Sequence, residues 1–294
     1  MCGIAGFIDF GLSGSEIIAQ EMGAKIQHRG PDSCGSFFKT SNSYQIGLAH
    51  QRLSIIDLSK DGHQPMSLQD SSLTIVFNGE IYNYKAVRKT LQKSGVEFRT
   101  QSDTEVILRA WEKWGKKCIE HFNGMFAFAL YDKLNQKVIL VRDRAGVKPL
   151  YVYNNEGLIL FGSELKALMA HPKFEKVIDT DATALYLQYG YYPEPYTVFK
   201  NCTKLKAAHT FEVDLKSQKT TVKEYWNLKD NFQLNENGNK KEEEVLDDLE
   251  TLMISSFEYR MVSDVPVGVF LSGGYDSTAV TALLQESTNQ TINT

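Results

Sequence analysis

A cysteine stands second in the chain, between Met1 and Gly3. If Met1 is removed, as a small second residue permits, this one residue carries both a thiol and a free α-amine. The reference pKa of such an amine, about 7.7–8.0, lies close to that of a thiol, about 8.5, so the amine can act as the thiol's base. Gly3 adds backbone freedom beside it. At the far end of the chain, Ser272-Gly273-Gly274-Tyr275-Asp276-Ser277 follows an apolar run and precedes a helical pattern. Glycines there allow close backbone approach, and N–H groups at a helix start can meet an anion, so the loop suits phosphate binding. It lacks the lysine of the GxxxxGK[ST] loop, which disfavours a generic kinase or ATPase.

The elements that must position these groups are written in short runs. Ile4–Phe10, Tyr44–Ala49, Leu73–Phe77, Phe126–Tyr131, Val138–Val141, Leu150–Tyr153, Leu158–Phe161, Phe211–Leu215 and Thr220–Tyr225 are β-branched or aromatic stretches ended by Gly, Asn or Asp and read as strands. Ser15–Gln27, Lys85–Lys93, Asp103–Trp114 and Ala182–Tyr189 have helical spacing. Many strands with a few helices grouped between them predict packed sheets flanked by helices, an α+β layered domain rather than a βαβ alternation.

The chain has 294 residues, with 32 basic against 36 acidic side chains for a net charge of −4. Such a balance disfavours non-specific binding of nucleic acid, which needs a net basic face. The start has no basic n-region and meets Asp9 early, so it reads as a cytoplasmic protein, and no apolar run reaches the ~18 residues of a membrane span. Cys34, Cys118 and Cys202 read as buried apolar fillers, with no Cys-x-x-Cys pair to suggest zinc.

Residues 229–240 are polar and Asn-rich and read as a linker. Beyond them Glu242–Met261 is amphipathic, with Val245, Leu246, Leu249, Leu252, Met253 and Phe257 on one stripe. Val267–Leu271 reads as a buried parallel strand and Ser277–Leu284 as a helix start, the opening of an α/β domain. The expected division is a first domain over 2–228 and the truncated start of a second over 241–294.

Four further strings join Cys2-Gly3-Ile4-Ala5-Gly6 in order: His28-Arg29-Gly30-Pro31-Asp32, Leu48-Ala49-His50-Gln51-Arg52-Leu53-Ser54-Ile55, Phe77-Asn78-Gly79-Glu80-Ile81-Tyr82-Asn83 and Ser102-Asp103-Thr104-Glu105. Together they resemble the class II glutamine amidotransferases, most closely the glutaminase domain of the glutamine-hydrolysing asparagine synthetases. Alone, Asn78-Gly79 reads as a turn, Asp103 as a helix N-terminal charge, and His28 and His50 as structural. The resemblance implies a four-layer αββα N-terminal-nucleophile sandwich of two antiparallel sheets. It implies Cys2 as nucleophile and Asn78 with Gly79 as oxyanion donors. It also implies a glutamine site formed by Arg52, Leu53, Ser54, Ile55, Ile56, Asn78, Gly79, Glu80 and Asp103. Arg52 would clamp the α-carboxylate with a fork that lysine does not copy. Asp103 and Glu80 would meet the α-ammonium.

The loop at the end resembles the pyrophosphate loop of the ATP pyrophosphatases. That resemblance implies Leu271 on the nucleotide, Ser272, Gly273, Gly274 and Ser277 on phosphates, and Asp276 beside Mg²⁺. The implied ligase uses glutamine, aspartate and ATP with Mg²⁺, passing ammonia to ATP-activated aspartate, while the glutaminase half-reaction needs no cofactor. Neither nucleic acid nor membrane is implied as a partner, and a homodimer is compatible. For this chain alone the expectation is at most a glutaminase. Three alternatives stay open: a ligase with another acceptor, such as a nucleotide-linked sugar; a β-lactam-forming relative with an inactive first domain, against which Cys2 argues; and a non-catalytic glutamine-binding module.

Overall fold

A computed structural model describes residues 1–70, 72–231, 240–288 and 291–294. The chain divides into two compact units, Met1–Asn227 and Leu228–Thr294. Most of the linker expected over 229–240 lies outside the described residues.

In the larger unit the first nine strands are β1 (Gly3–Asp9), β2 (Ser33–Thr40), β3 (Gln45–Arg52), β4 (Met66–Ser67), β5 (Leu73–Ile81), β6 (Gly124–Asp132), β7 (Lys137–Arg142), β8 (Tyr151–Asn155) and β9 (Leu158–Gly162). Three follow: β10 (Cys202–Lys204), β11 (His209–Asp214) and β12 (Thr220–Glu224). They form two six-stranded sheets, ordered β10-β8-β9-β1-β3-β2 and β12-β11-β7-β6-β5-β4. Every pairing between strands is antiparallel.

The period-two alternation of β1 sets the layering. Ile4 and Ile8 join Ile46, Leu48, Val76, Ala129, Val138 and Leu140 in the core between the sheets. Ala5 and Phe7 point the other way, into a second core with Ala19, Met22 and Ile26 of the α1 region (Glu16–Ala24). On the outer face of the second sheet lie α2 (Tyr84–Lys93) and α3 (Asp103–Trp114). The result is the expected α+β sandwich with helices outside two antiparallel sheets.

Helix α3 begins where Ser102 accepts a hydrogen bond from the Thr104 N–H at 3.1 Å, and it stops at Gly115, whose φ of +57° suits glycine. Both α4 (Leu165–Leu168) and α5 (Thr180–Tyr189) lie C-terminal to the last strand of the β8–β9 hairpin. The helix expected over Ser15–Gln27 is shorter, because the chain tightens into a 3₁₀ turn at Gln27–Arg29. Strands β2, β4 and β10 escape sequence reading. β2 is Ser/Gly-rich and half exposed, and β4 and β10 are too short to show a period.

The smaller unit holds α6 (Glu242–Arg260) and α7 (Tyr275–Ser287). The strand expected at Val267–Leu271 is corrected: only Gly268 forms a parallel bridge, to Asn293, and Phe270 is 99% exposed. A parallel strand requires neighbours and two covered faces, and the described residues supply neither. The apolar stripe of α6 is likewise open, with Val245, Leu246, Leu249 and Leu252 exposed.

One bond ties the sheets together near the functional end. The buried His50 ring on β3 donates from Nε2 to the Phe77 carbonyl on β5 at 3.0 Å, and burial pushes its pKa down to about 3. Unfolded histidine titrates near 6.5, so protonation favours the unfolded chain. Stability from this group is complete above about pH 6.5 and is lost as pH falls toward 3. Urea midpoints measured across that range should fall with pH, and His50→Gln should flatten the slope.

Candidate active site

The two sheets bring one end of β1, β3 and β5 to a common cavity of about 210 Å³. Cys2 sits just ahead of β1, Arg52 ends β3, and Asn78, Gly79 and Glu80 lie late in β5. Asp103 enters from the first turn of α3. All line the cavity, with Leu53, Ile55 and Ile56. Ser54 does not: its N–H donates to Asp32 Oδ2 at 2.7 Å, so it braces the loop instead.

Cys2 is held from two sides. Its thiol faces the Leu53 backbone, with Sγ 3.5 Å from the carbonyl and 3.4 Å from the N–H. Arg29 Nε donates to the Cys2 carbonyl at 3.0 Å while its Nη1 pairs with Glu164 at 3.1 Å. His28 bonds the same Glu164 carboxylate at 2.9 Å. The string His28–Asp32 is therefore a brace, with Arg29 on the Cys2 carbonyl and Asp32 on the loop after Arg52. Burial raises the thiol above its ordinary pKa, against the pull of the Leu53 N–H and the chain terminus.

Asn78 is wholly buried, and neither its Nδ2 nor its Oδ1 has a hydrogen-bond partner. A buried carboxamide left unpaired is costly, and one lining a cavity with a thiol fits a donor waiting for a ligand oxygen. Gly79 beside it admits no side chain, because a Cβ would overlap the Met125 carbonyl across the ladder. The remaining β5 neighbour is held by Gln64, whose Oε1 accepts from Phe77 N–H at 2.6 Å and whose Nε2 donates to Thr104 Oγ1 at 3.2 Å.

The Arg52 fork is fixed from behind. Nη1 donates to the Ser59 carbonyl at 2.8 Å and Nη2 to the Asp57 carbonyl. Two of five donors are used, which leaves others for an anion. Opposite charge is supplied by Asp103 and Glu80. Asp103 Oδ2 accepts from Ile81 N–H at 3.0 Å, yet desolvation, reinforced by Glu80, pushes its pKa up to about 7. Burial also raises Glu80, which Lys148 opposes. The site thus pairs a cationic fork with a carboxyl group poised to ionise when a cation arrives, the polarity of an α-amino acid.

Sequence reading missed Lys148, Gln64 and Thr104 as lining residues. The signal for Lys148 was the turn Asp143-Arg144-Ala145-Gly146-Val147-Lys148, where Asp143 collects the N–H groups of Ala145, Val147 and Lys148 at 2.9–3.1 Å. Cys34, expected to be buried, is exposed on the Ser/Gly-rich β2, whereas Cys118 and Cys202 are buried as expected.

In the smaller unit, α7 begins at Tyr275 with Gly274 as an N-cap that offers no side chain. Ser272 Oγ and Ser277 Oγ lie 3.2 Å apart, and Gly273 takes φ +83°. Hydroxyls and N–H groups at a helix start fit a phosphate. Asp276 belongs to no metal-holding cluster: among the described residues no group of three or more His, Cys, Asp or Glu side chains is placed to hold a metal ion. No helix among the described residues is long and apolar enough to cross a membrane.

A half-buried thiol stands just before the first strand of a two-sheet sandwich, with an orphaned amide beside it in one cavity. The chain belongs to the glutamine amidotransferase domain family, whose model matches residues 1–226, and residues 248–294 match the asparagine synthase model. It is 39% identical to the putative asparagine synthetase [glutamine-hydrolyzing] 2 of Methanocaldococcus jannaschii, over 98% of this chain and 58% of that protein. Identity to asparagine synthetase [glutamine-hydrolyzing] 3 of Bacillus subtilis is 34%, over 96% of this chain and 45% of that protein. The chain thus spans about half the length of the curated relatives it matches. The glutamine phosphoribosylpyrophosphate amidotransferase structure from B. subtilis shares the fold, with a TM-score of 0.56 at 16% identity over 76% of this chain and 49% of that one.

Gly62 packs so tightly on the guanidinium that a Cβ would overlap Arg52 Nη2, and a shift of the fork to make room would cost its bonds to the Ser59 and Asp57 carbonyls. Gly62→Ala should therefore destabilise the unit by roughly 1–3 kcal/mol, read as a lower urea midpoint at unchanged m-value.

Proposed function

We propose that this chain hydrolyses the side-chain amide of glutamine, with Cys2 as nucleophile after removal of Met1. The observation that carries the reading is the buried, unpartnered Asn78 amide in the cavity shared by Cys2 and Arg52. The α-carboxylate sits on the free donors of Arg52, and the α-ammonium sits between Asp103 and Glu80. The Cys2 α-amine takes the thiol proton, and sulfur attacks the amide carbon. The carbonyl oxygen becomes an oxyanion that accepts hydrogen bonds from Asn78 Nδ2 and the Gly79 N–H. Collapse breaks the C–N bond as the ammonium returns its proton to the leaving nitrogen, releasing ammonia and leaving a thioester. Water, deprotonated by the same amine, then releases glutamate.

Residues 2–228 are the glutaminase domain in this reading, 229–240 the linker and 241–294 the start of an ATP-binding domain. The whole protein is a glutamine-hydrolysing asparagine synthetase of the cytoplasm, which transfers ammonia to aspartate activated by ATP. The names of its relatives and the match of 248–294 support this. Leu271, Ser272, Gly273, Gly274 and Ser277 are the residues offered to the nucleotide substrate. Asp276 would be the Mg²⁺ contact with most ligands supplied by phosphate and water, since among the described residues no group of three or more metal-ligating side chains is placed to hold the ion.

Purified chain should release glutamate from glutamine and Cys2→Ala should not; equal rates would refute the nucleophile. Asn78→Ala should lower kcat by about 10²–10³, equivalent to roughly 2.7–4 kcal/mol of lost oxyanion stabilisation. The raised Asp103 pKa gives a further outcome. Below about pH 7 the free site holds this proton, and a bound ammonium expels it, so glutamine affinity should rise with pH up to about 7 and then level off. Calorimetry of the Cys2→Ala chain in two buffers of different ionisation enthalpy should report release of roughly one proton per glutamine at pH 6. Asp103→Asn should abolish that release.

A further inference from the structure

One charge in the cavity has no role in the hydrolysis described above. Lys148 is 3% exposed, and among the described residues it forms no ion pair within 4.0 Å. Its ammonium touches the Met1 thioether, with Nζ 3.3 Å from Sδ. Lysine is almost never buried unless paired, because the ammonium loses its hydration without recovering a counter-charge. The backbone gives it little freedom to leave. Asp143 Oδ2 accepts from the Lys148 N–H at 2.9 Å, and Arg142 Nε donates to the Lys148 carbonyl at 2.8 Å. Both Asp143 and Arg142 are themselves buried. The turn after β7 is thus a rigid mount that holds a cation in the wall of the Cys2 cavity.

We propose that Lys148 is the positioning residue of the nucleophile: once Met1 is removed, its fixed ammonium faces the Cys2 head group, keeps the resting amine neutral so that it can take the thiol proton, and steadies the thiolate that this transfer leaves. This rests on the glutaminase reading for its purpose but not for its test. The amine must be neutral to accept the thiol proton, and the sulfur must be anionic to attack. A neighbouring cation promotes both, since it repels an ammonium and attracts a thiolate. With Met1 in place, burial and the Lys148 charge lower the terminal amine of Met1, while burial raises the Cys2 thiol.

The other charges that face Cys2 come from every surrounding element. Arg29 holds the Cys2 carbonyl from the 3₁₀ turn, and Arg52 stands at the end of β3. Glu80 on β5 and Asp103 on α3 oppose them. Arg29 spends its Nη1 on Glu164, and Arg52 spends two donors on carbonyls. The two carboxyls are raised by burial, which holds back their negative charge until a cation meets them. Lys148 is the cation with no such commitment. In the filled site the substrate ammonium offsets Asp103 and Glu80, and the field of Lys148 at Cys2 is then unopposed.

The test uses the full chain after mass spectrometry has confirmed loss of Met1. Iodoacetamide alkylation is followed on the Cys2 peptide as a function of pH, which separates it from the exposed Cys34. Lys148→Met keeps the length and removes the charge, and its alkylation profile should move up by about one pH unit or more. Lys148→Arg keeps the charge and should return the midpoint to within about 0.3 unit of the parent, well inside that shift. The acid limb of kcat/KM for glutamine should move with the alkylation midpoint. Where Lys148→Met fails to fold, by circular dichroism and thermal melting, Lys148→Gln provides the second neutral variant. Superimposable profiles for parent and a folded neutral variant overturn the proposal. Because alkylation requires no turnover, failure of the glutaminase reading appears separately, as undiminished glutamate release from Cys2→Ala.

Discussion

A carboxamide taken out of water without a partner costs roughly 1–3 kcal/mol, and Asn78 bears that cost in the cavity it shares with Cys2. The surrounding structure serves to keep it there. The strand ladder fixes its backbone opposite Ala127, and Gly79 after it lets β6 approach closely. Gln64 satisfies the Phe77 N–H one residue earlier, and His50 donates to the Phe77 carbonyl from the other sheet. The two bonds around Phe77 lock β5 to both its own side and the facing sheet, so the amide is aimed into the cavity rather than left to seek a partner. Packing between Ile4, Ile8, Ile46 and Leu48 on one sheet and Val76, Ala129 and Leu140 on the other supplies the apolar burial that sustains this arrangement.

The ends of three strands explain why charge is distributed as it is. Sequence positions 2, 52, 78–80 and 103 are distant along the chain, but β1, β3 and β5 end on one side of the sandwich. Arg52 is secured by main-chain carbonyls instead of a carboxylate, which keeps its positive charge available. Asp103 is buried beside another carboxyl, which keeps its negative charge in reserve. A zwitterion completes both halves at once, whereas a simple anion or cation completes only one.

Much of this was legible in the chain itself. Runs such as Leu73–Phe77 and Phe126–Tyr131 are nearly continuous in apolar residues because each is covered on both faces, and Asp103–Trp114 carries its own cap in Ser102. Ordered motifs located every lining residue proposed for the glutamine site apart from Ser54, whose backbone is spent on Asp32. What escaped had no local signature. β2 is held by its ladder to β3 rather than by hydrophobic pattern, and this is also why Cys34 is exposed there. Lys148 reads as an ordinary surface lysine until Asp143 and Arg142 fix its backbone inward. In the smaller unit, Val267–Leu271 has the composition of a buried strand, but strand character depends on neighbours that composition does not contain.

The account stands on Cys2 sulfur and Asn78 Nδ2 acting on one bond of one substrate. A diazoketone analogue of glutamine, which alkylates a nucleophile seated at the amide position, tests this directly through a crystal structure of the inactivated chain. The expected result is a single thioether at Cys2 Sγ, with the ketone oxygen within hydrogen-bond distance of Asn78 Nδ2 and the analogue's carboxylate on Arg52. Labelling at Cys34 instead, or a Cys2 adduct whose oxygen points away from Asn78, would contradict it.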